Sequence, residues 1–196
     1  MASAVLFHHA LGLTPGVVAF ADRLRSEGHE VATPDLFGGR TFTELEDGVA
    51  HASTIGFATV IERGERACAS ITGPTIFAGM SLGVLPAQKL AQTHAASAGA
   101  VLMHACVPPS EFGPVWPEHV PVRIHAMADD PWFVNDGDIE VARTLAESAP
   151  DARLVLASGS AHLFTDSSHA DYDAAATDDV IDSFLGLLAR IDGDQP

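Results

Sequence analysis

The sequence predicts an α/β domain built on a single doubly wound, mainly parallel sheet of about six strands. Three observations carry that prediction. Short β-rich apolar runs alternate with segments of helical periodicity six times along the chain, the order that builds parallel sheets through right-handed crossovers. No repeat, low-complexity tract or linker divides the 196 residues, a length that suits one domain over residues 1–196. Apolar residues make up 47% of the chain, enough for a buried core.

Each element has its own signal. Residues 4–7 read as a first strand, and Thr14-Pro15 then supplies a capping hydroxyl with proline at the first helical position. Val17, Val18, Ala21 and Leu24 share one face of that helix, and Gly28 ends it. Residues 31–33 form a second strand, cut off by Pro34. Thr43 and Glu46 have capping-box spacing, opening a helical region over 44–69 that Gly48 and Gly56 are expected to interrupt. Residues 75–78 are a third strand, followed directly by a helix over 82–94. Strands are expected at 99–103, 122–126 and 153–156, a helix at 139–148 and a closing helix at 173–191. Val180, Ile181, Phe184, Leu185, Leu188 and Ile191 make the apolar stripe of that last helix.

Charge narrows the partners. Against 26 Asp and Glu stand 10 Lys and Arg, a net charge of −16, so phosphate backbones and anionic bilayers are repelled and neither nucleic acid nor a membrane is expected as partner. No uncharged apolar stretch approaches the ~20 residues that span a bilayer, and the N-terminus shows a short strand ending in histidines rather than a signal peptide. A cytoplasmic protein, monomeric or homodimeric, is the expectation. Cys68 and Cys106 make neither a disulfide framework nor a zinc pattern, and read as buried free thiols. His8, His9, His104 and His125 fall at or near strand ends, but the H-x-x-x-H and H-E-x-x-H spacings are missing and no metal is expected.

In parallel sheets of this kind ligands bind beyond the carboxyl ends of the strands, and there the chemistry concentrates. Gly79-Met80-Ser81-Leu82-Gly83 follows the third strand and opens a helix. G-x-S-x-G in that context is a sharp strand-to-helix turn that lifts Ser81 into the open, with glycines where side chains would clash. Backbone N–H groups at the helix start, Leu82 among them, then face the charge that develops on a carbonyl oxygen. A serine hydroxyl needs a base, and the base needs an orienting acid. His162, in Gly159-Ser160-Ala161-His162-Leu163-Phe164 beyond the last strand, is the candidate base. Asp130, followed by a stiffening Pro131, is the candidate acid, with Asp129 as the alternative. Phe37, Trp116 and Trp132 occupy loops on the same edge and are candidates to line a pocket.

Over nearly its whole length the chain resembles the dienelactone hydrolase family of α/β-hydrolases. The motifs that carry the resemblance are His8-His9-Ala10-Leu11-Gly12-Leu13, Ala21-Asp22-Arg23-Leu24-Arg25 with Gly28-His29, Pro34-Asp35-Leu36-Phe37, the Ser81 turn, Asp130-Pro131 and the His162 segment, in that order. The resemblance implies a triad of nucleophile, Asp and His, an oxyanion hole from the Ala10 and Leu82 amides, and no cofactor. It departs from the family's type enzymes at three positions. Ser81 replaces a cysteine nucleophile, His9 stands where they place a glutamate, and Asp166 stands where an arginine, four residues after the base, would hold a substrate carboxylate. An acid at 166 predicts that carboxylated substrates are disfavoured.

The sequence thus predicts a minimal α/β-hydrolase without a cap domain, since about eighteen residues separate Met103 from Val122. Its expected function is a cofactor-free serine hydrolase cleaving a small ester or lactone through an acyl-enzyme on Ser81. His162 and Asp130 complete the triad, and His9, Phe37 and Trp132 are the expected substrate contacts. The alternatives are a degenerate hydrolase acting as a binding protein, and a thioesterase or acyltransferase using the same triad.

Overall fold

A computed structural model describes residues 2–193. The six expected strands are present: β1 (Ser3–Phe7), β2 (Glu30–Ala32), β3 (Thr75–Met80), β4 (Ser97–Met103), β5 (Val122–Met127) and β6 (Ala152–Ala157). They form one sheet of order β2-β1-β3-β4-β5-β6 in which every pair is parallel. The chain reverses its direction of travel across the sheet between β1 and β3, and Phe7 lies in register with Gly79 there. A crevice opens beyond the carboxyl ends of strands at such a reversal. The Ala10 and Ser81 segments leave the sheet at its two sides.

Helices close both faces. α1 (Pro15–Ser26) and α7 (Ala174–Gly193) cover one; α2 (Leu45–Ile55), α3 (Phe57–Cys68), α4 (Val84–Thr93), α5 (Pro131–Asn135) and α6 (Asp138–Ser148) cover the other. α1 starts where its chemistry dictates. The Thr14 hydroxyl accepts from the Val17 amide at 3.2 Å, a cap worth about 1 kcal/mol, and Pro15 takes the first position. Val17, Phe20, Ala21 and Leu24 pack onto β1, β2 and β3 side chains such as Leu6, Val31 and Ile76. Deleting the Phe20 ring there would cost about 3–5 kcal/mol. In α7 the buried face runs through Val180, Ile181, Phe184, Leu187 and Leu188, so Leu187 rather than Leu185 holds the inner position.

Three expectations need correction. The helical region after β2 breaks at Gly56, whose φ of 87° no β-carbon favours, but continues through Gly48. Gly48 is a contact glycine: a β-carbon there would lie 2.0 Å from the Ala10 carbonyl oxygen. The capping box does not form either, because Glu44 occupies the cap position with no side-chain bond. The short helix α5 escaped the sequence reading, since five residues show no period.

Among the described residues no cap domain interrupts the fold. The stretch between β4 and β5 holds one 3-10 turn, Pro109–Glu111. Among the described residues no helix is long and apolar enough to cross a membrane.

Candidate active site

Ser81 begins a 3-10 turn, Ser81–Gly83, that joins β3 to α4. Its φ of 50° is one of two positive values found at non-glycine residues among those described, a conformation that costs about 1–3 kcal/mol and persists only where neighbours enforce it. The enforcement is visible. A β-carbon at Gly79 would fall 2.2 Å from the Gly83 carbonyl oxygen, and one at Gly83 would fall 2.3 Å from that of Phe7. The motif's glycines are therefore required by close backbone approach on both sides of the serine.

From the far end of the sheet the β6–α7 connection brings His162 to this turn. Its Nε2 lies 2.9 Å from Ser81 Oγ, and its Nδ1 lies 2.7 Å from Asp130 Oδ2. Asp130 is fully buried at the N-terminus of α5, and its other oxygen accepts the Trp132 amide at 3.0 Å. Pro131 at the first helical position makes this a capping aspartate that also meets the imidazole. Asp129, the alternative acid, is exposed one residue earlier, its amide bonded to the Gly159 carbonyl.

Ser81 and His162 border a pocket of about 190 Å³ together with Ala10, Leu82, Val49, Leu85, Ala105 and Val107. Ala10 and Leu82 both line it, and the buried Ala10 amide has no hydrogen-bond acceptor among the described residues. Trp132 lines the pocket too, its ring 5.8 Å from that of His162. Trp116 does not: it is buried in the core with its indole N–H donated to the Val120 carbonyl.

Two expected substrate contacts lie elsewhere. Phe37 is buried against the rings of His8, Phe42 and His51 on the α2 side of the sheet. His9 is completely buried, its Nε2 held by Asp166 at 2.7 Å and its Nδ1 accepting the Leu11 amide at 3.2 Å. Asp166 consequently turns toward the β1–α1 loop and away from the Ser81 pocket. Burial pushes its carboxyl up, but hydrogen bonds from His9, Ser168 and Thr14 outweigh that and hold it far below the usual carboxylate range.

The pocket's acidic wall comes from residues the sequence reading passed over. Asp136 and Asp138 line it, and no lysine or arginine does. Asp138 Oδ2 accepts the Cys106 amide at 3.0 Å, while burial foremost, and then the neighbouring Asp136, raise its pKa. His104 was also undervalued. It carries the second positive φ, 69°, and borders the pocket with its ring 5.7 Å from that of His162. Its Nε2 meets the Thr165 hydroxyl at 2.7 Å, and its Nδ1 has no partner among the described residues. Burial holds His104 well below 6.5, so it stays neutral.

His8 and His125 are tied into the fold. His8 accepts the Leu36 amide on Nε2, and His125 meets the Ser183 hydroxyl; burial takes each pKa down to about 4. Among the described residues no group of three or more His, Cys, Asp or Glu is placed to hold a metal ion. Cys68 and Cys106 are buried, and burial pushes their thiols up to about 11 and about 12.

Comparison with known proteins agrees with this architecture. The model of the dienelactone hydrolase family matches residues 2–191. A dienelactone hydrolase-like promiscuous phosphotriesterase from metagenomic libraries superposes with a TM-score of 0.77 at 21% identity, covering 97% of this chain and 87% of its own. Alpha/beta hydrolase domain-containing protein 10 from mouse gives 0.71 at 15% identity, over 96% and 90% of the two chains. A cold-adapted esterase from an Arctic intertidal metagenomic library gives 0.66 at 17% identity, over 92% and 82%. At such identities these structures share the fold. No curated protein matches the sequence.

Proposed function

The chain belongs to the dienelactone hydrolase family, and from that premise we propose that it is a cofactor-free serine hydrolase of small, uncharged esters or lactones. The observation that carries the reading is the unbroken line from Ser81 Oγ through His162 to Asp130, at 2.9 and 2.7 Å.

Ser81 Oγ attacks the substrate carbonyl while His162 Nε2 takes its proton. Asp130 keeps the imidazole proton on Nδ1 and stabilises the imidazolium that results. The tetrahedral oxyanion is received by the Ala10 and Leu82 amides, which stand ready without rearrangement at the moment charge develops. The intermediate collapses as His162 returns its proton to the leaving alcohol, or to the ring oxygen of a lactone. Water, activated by the same imidazole, then cleaves the acyl-enzyme and restores the Ser81 hydroxyl.

Size and charge limit the substrate. A pocket of about 190 Å³ beside the serine suits a small acyl group. A carboxylated substrate would have to shed water against Asp136 and Asp138 with no lysine or arginine in the lining. The disfavour for anions expected from Asp166 thus passes to these two aspartates.

The test is covalent labelling with a fluorophosphonate, with the modified residue located by mass spectrometry. Label on Ser81, lost in Ser81→Ala together with turnover of a short activated aryl ester, is the expected result. Undiminished turnover in that variant would sink the mechanism.

A further inference from the structure

A buried carboxylate joins the loop after β1 to the loop after β6. Asp166 is 1% exposed. Its Oδ2 accepts from His9 Nε2 at 2.7 Å and from the Thr14 hydroxyl at 2.5 Å. Its Oδ1 accepts from the Ser168 amide at 2.7 Å and the Ser168 hydroxyl at 2.6 Å. Four donors fill an ionised carboxylate, so no capacity is left there for a ligand. His9 is saturated as well, because its Nδ1 accepts the Leu11 amide and the proton therefore sits on Nε2. Gly16 makes the approach possible: a β-carbon there would lie 1.6 Å from Asp166 Oδ1.

Ala10, next in the chain after His9, is pinned from the other side by Gly48, which presses against its carbonyl. Between the two anchors sits the unpaired Ala10 amide. Asp166 also stands four residues after His162, so one carboxylate is bonded to the donor loop and belongs to the base loop.

We propose that Asp166, acting through His9, is a positioning residue that fixes the Ala10 amide opposite Ser81 and in register with His162. This rests on the reading of Ala10 as an oxyanion donor. The value of such a donor lies in its placement before reaction, and removing one costs about 10²–10³ in kcat. A donor left in place but loosened loses part of that. Because the oxyanion exists only in the transition state, the loss falls on kcat and spares KM.

The full chain tests this through Asp166→Asn, His9→Leu and His9→Gln, assayed on a short activated aryl ester. Asp166→Asn and His9→Leu are expected to lower kcat about tenfold with KM within about twofold of the parent. Affinity for an alkyl boronic acid, whose tetrahedral adduct puts an oxygen in the oxyanion position, should fall by the same factor. Glutamine at position 9 offers an Nε2 donor toward Asp166, and His9→Gln is expected to recover most of the kcat that His9→Leu loses. Should Asp166→Asn not fold, the two His9 variants, which keep the carboxylate, decide. An active parent whose variants hold kcat and boronate affinity within twofold overturns the positioning role alone. A parent that neither cleaves ester nor takes the fluorophosphonate on Ser81 overturns the underlying reading too.

Discussion

Two His–Asp pairs share the carboxyl edge of this sheet, each closed at 2.7 Å, and by composition they are the same. They differ in what remains unfilled. His162 gives Nδ1 to Asp130 and keeps Nε2 for Ser81, while His9 gives Nε2 to Asp166 and spends Nδ1 on a backbone amide. Asp166 takes four donors within its neighbourhood; Asp130 takes one imidazole and one helix-start amide. A histidine can move protons for a substrate only if one nitrogen faces outward, and saturation of both converts the same pair into a brace.

The sharpest way to break that contrast is to remove the outward partner. Ser81→Ala is expected to lower kcat on an activated ester by about 10⁴–10⁶-fold with an unchanged circular dichroism spectrum. Removing the orienting carboxylate comes next. Asp130→Asn should lower kcat by about 10⁴-fold by leaving the imidazole in the wrong tautomer, measured by steady-state kinetics. A loss as great in Asp166→Asn would erase the distinction between the pairs.

Acid sharpens it from the side of stability. His8 and His125 have pKa values lowered from 6.5 to about 4 by burial, and His9 is lowered too, chiefly by burial and against the pull of Asp166. A lowered folded pKa contributes stability above 6.5 that is lost as pH falls toward 4. Asp166, lowered from 3.8, keeps its contribution until pH falls below that value. Tm should therefore drop between pH 6.5 and 4, before Asp166 is protonated, and a flat Tm over that range would contradict the burial of these rings.

Substrate charge is a smaller effect. One like-charge contact at ~4 Å costs ~4 kcal/mol at an effective dielectric near 20, and solvent and salt leave about a quarter of it, or fivefold. Neutral esters should exceed carboxylated analogues in kcat/KM by about that factor at low salt, and Asp138→Asn should narrow the gap. The smallest change is expected from Asp129→Asn, whose carboxylate is exposed; kcat should stay within about twofold.

Sequence reasoning reached the six strands because each is a short apolar run bounded by glycine, proline or polar residues, and it placed Ser81, His162 and Asp130 on one edge, where hydrogen bonds join them, because each follows a strand. It failed where proximity depends on how loops fold back. Nothing in the spacing says that Asp166 turns to His9, 157 residues away, rather than into the pocket. Asp138 has no motif of its own in the sequence, and only the β4–β5 and β5–α6 connections together bring it to the pocket that Ser81 lines. Phe37 follows a strand like a pocket residue, yet its aromatic neighbours His8 and His51 draw it into the core. Gly48 looked like a helix breaker because a sequence does not show the carbonyl of Ala10 pressing on it.

The sheet order has a kinetic consequence. β1, made first, cannot complete its pairing until β3 arrives some seventy positions later, and the loop bearing His162 and Asp166 follows the last strand. Parallel sheets assembled from such distant partners fold slowly, because loop-closure entropy is lost before the contacts that offset it form. On the ribosome, then, the serine turn is made long before the histidine that faces it. The nascent chain carries the Ser81 segment without its His162 partner until its final quarter emerges.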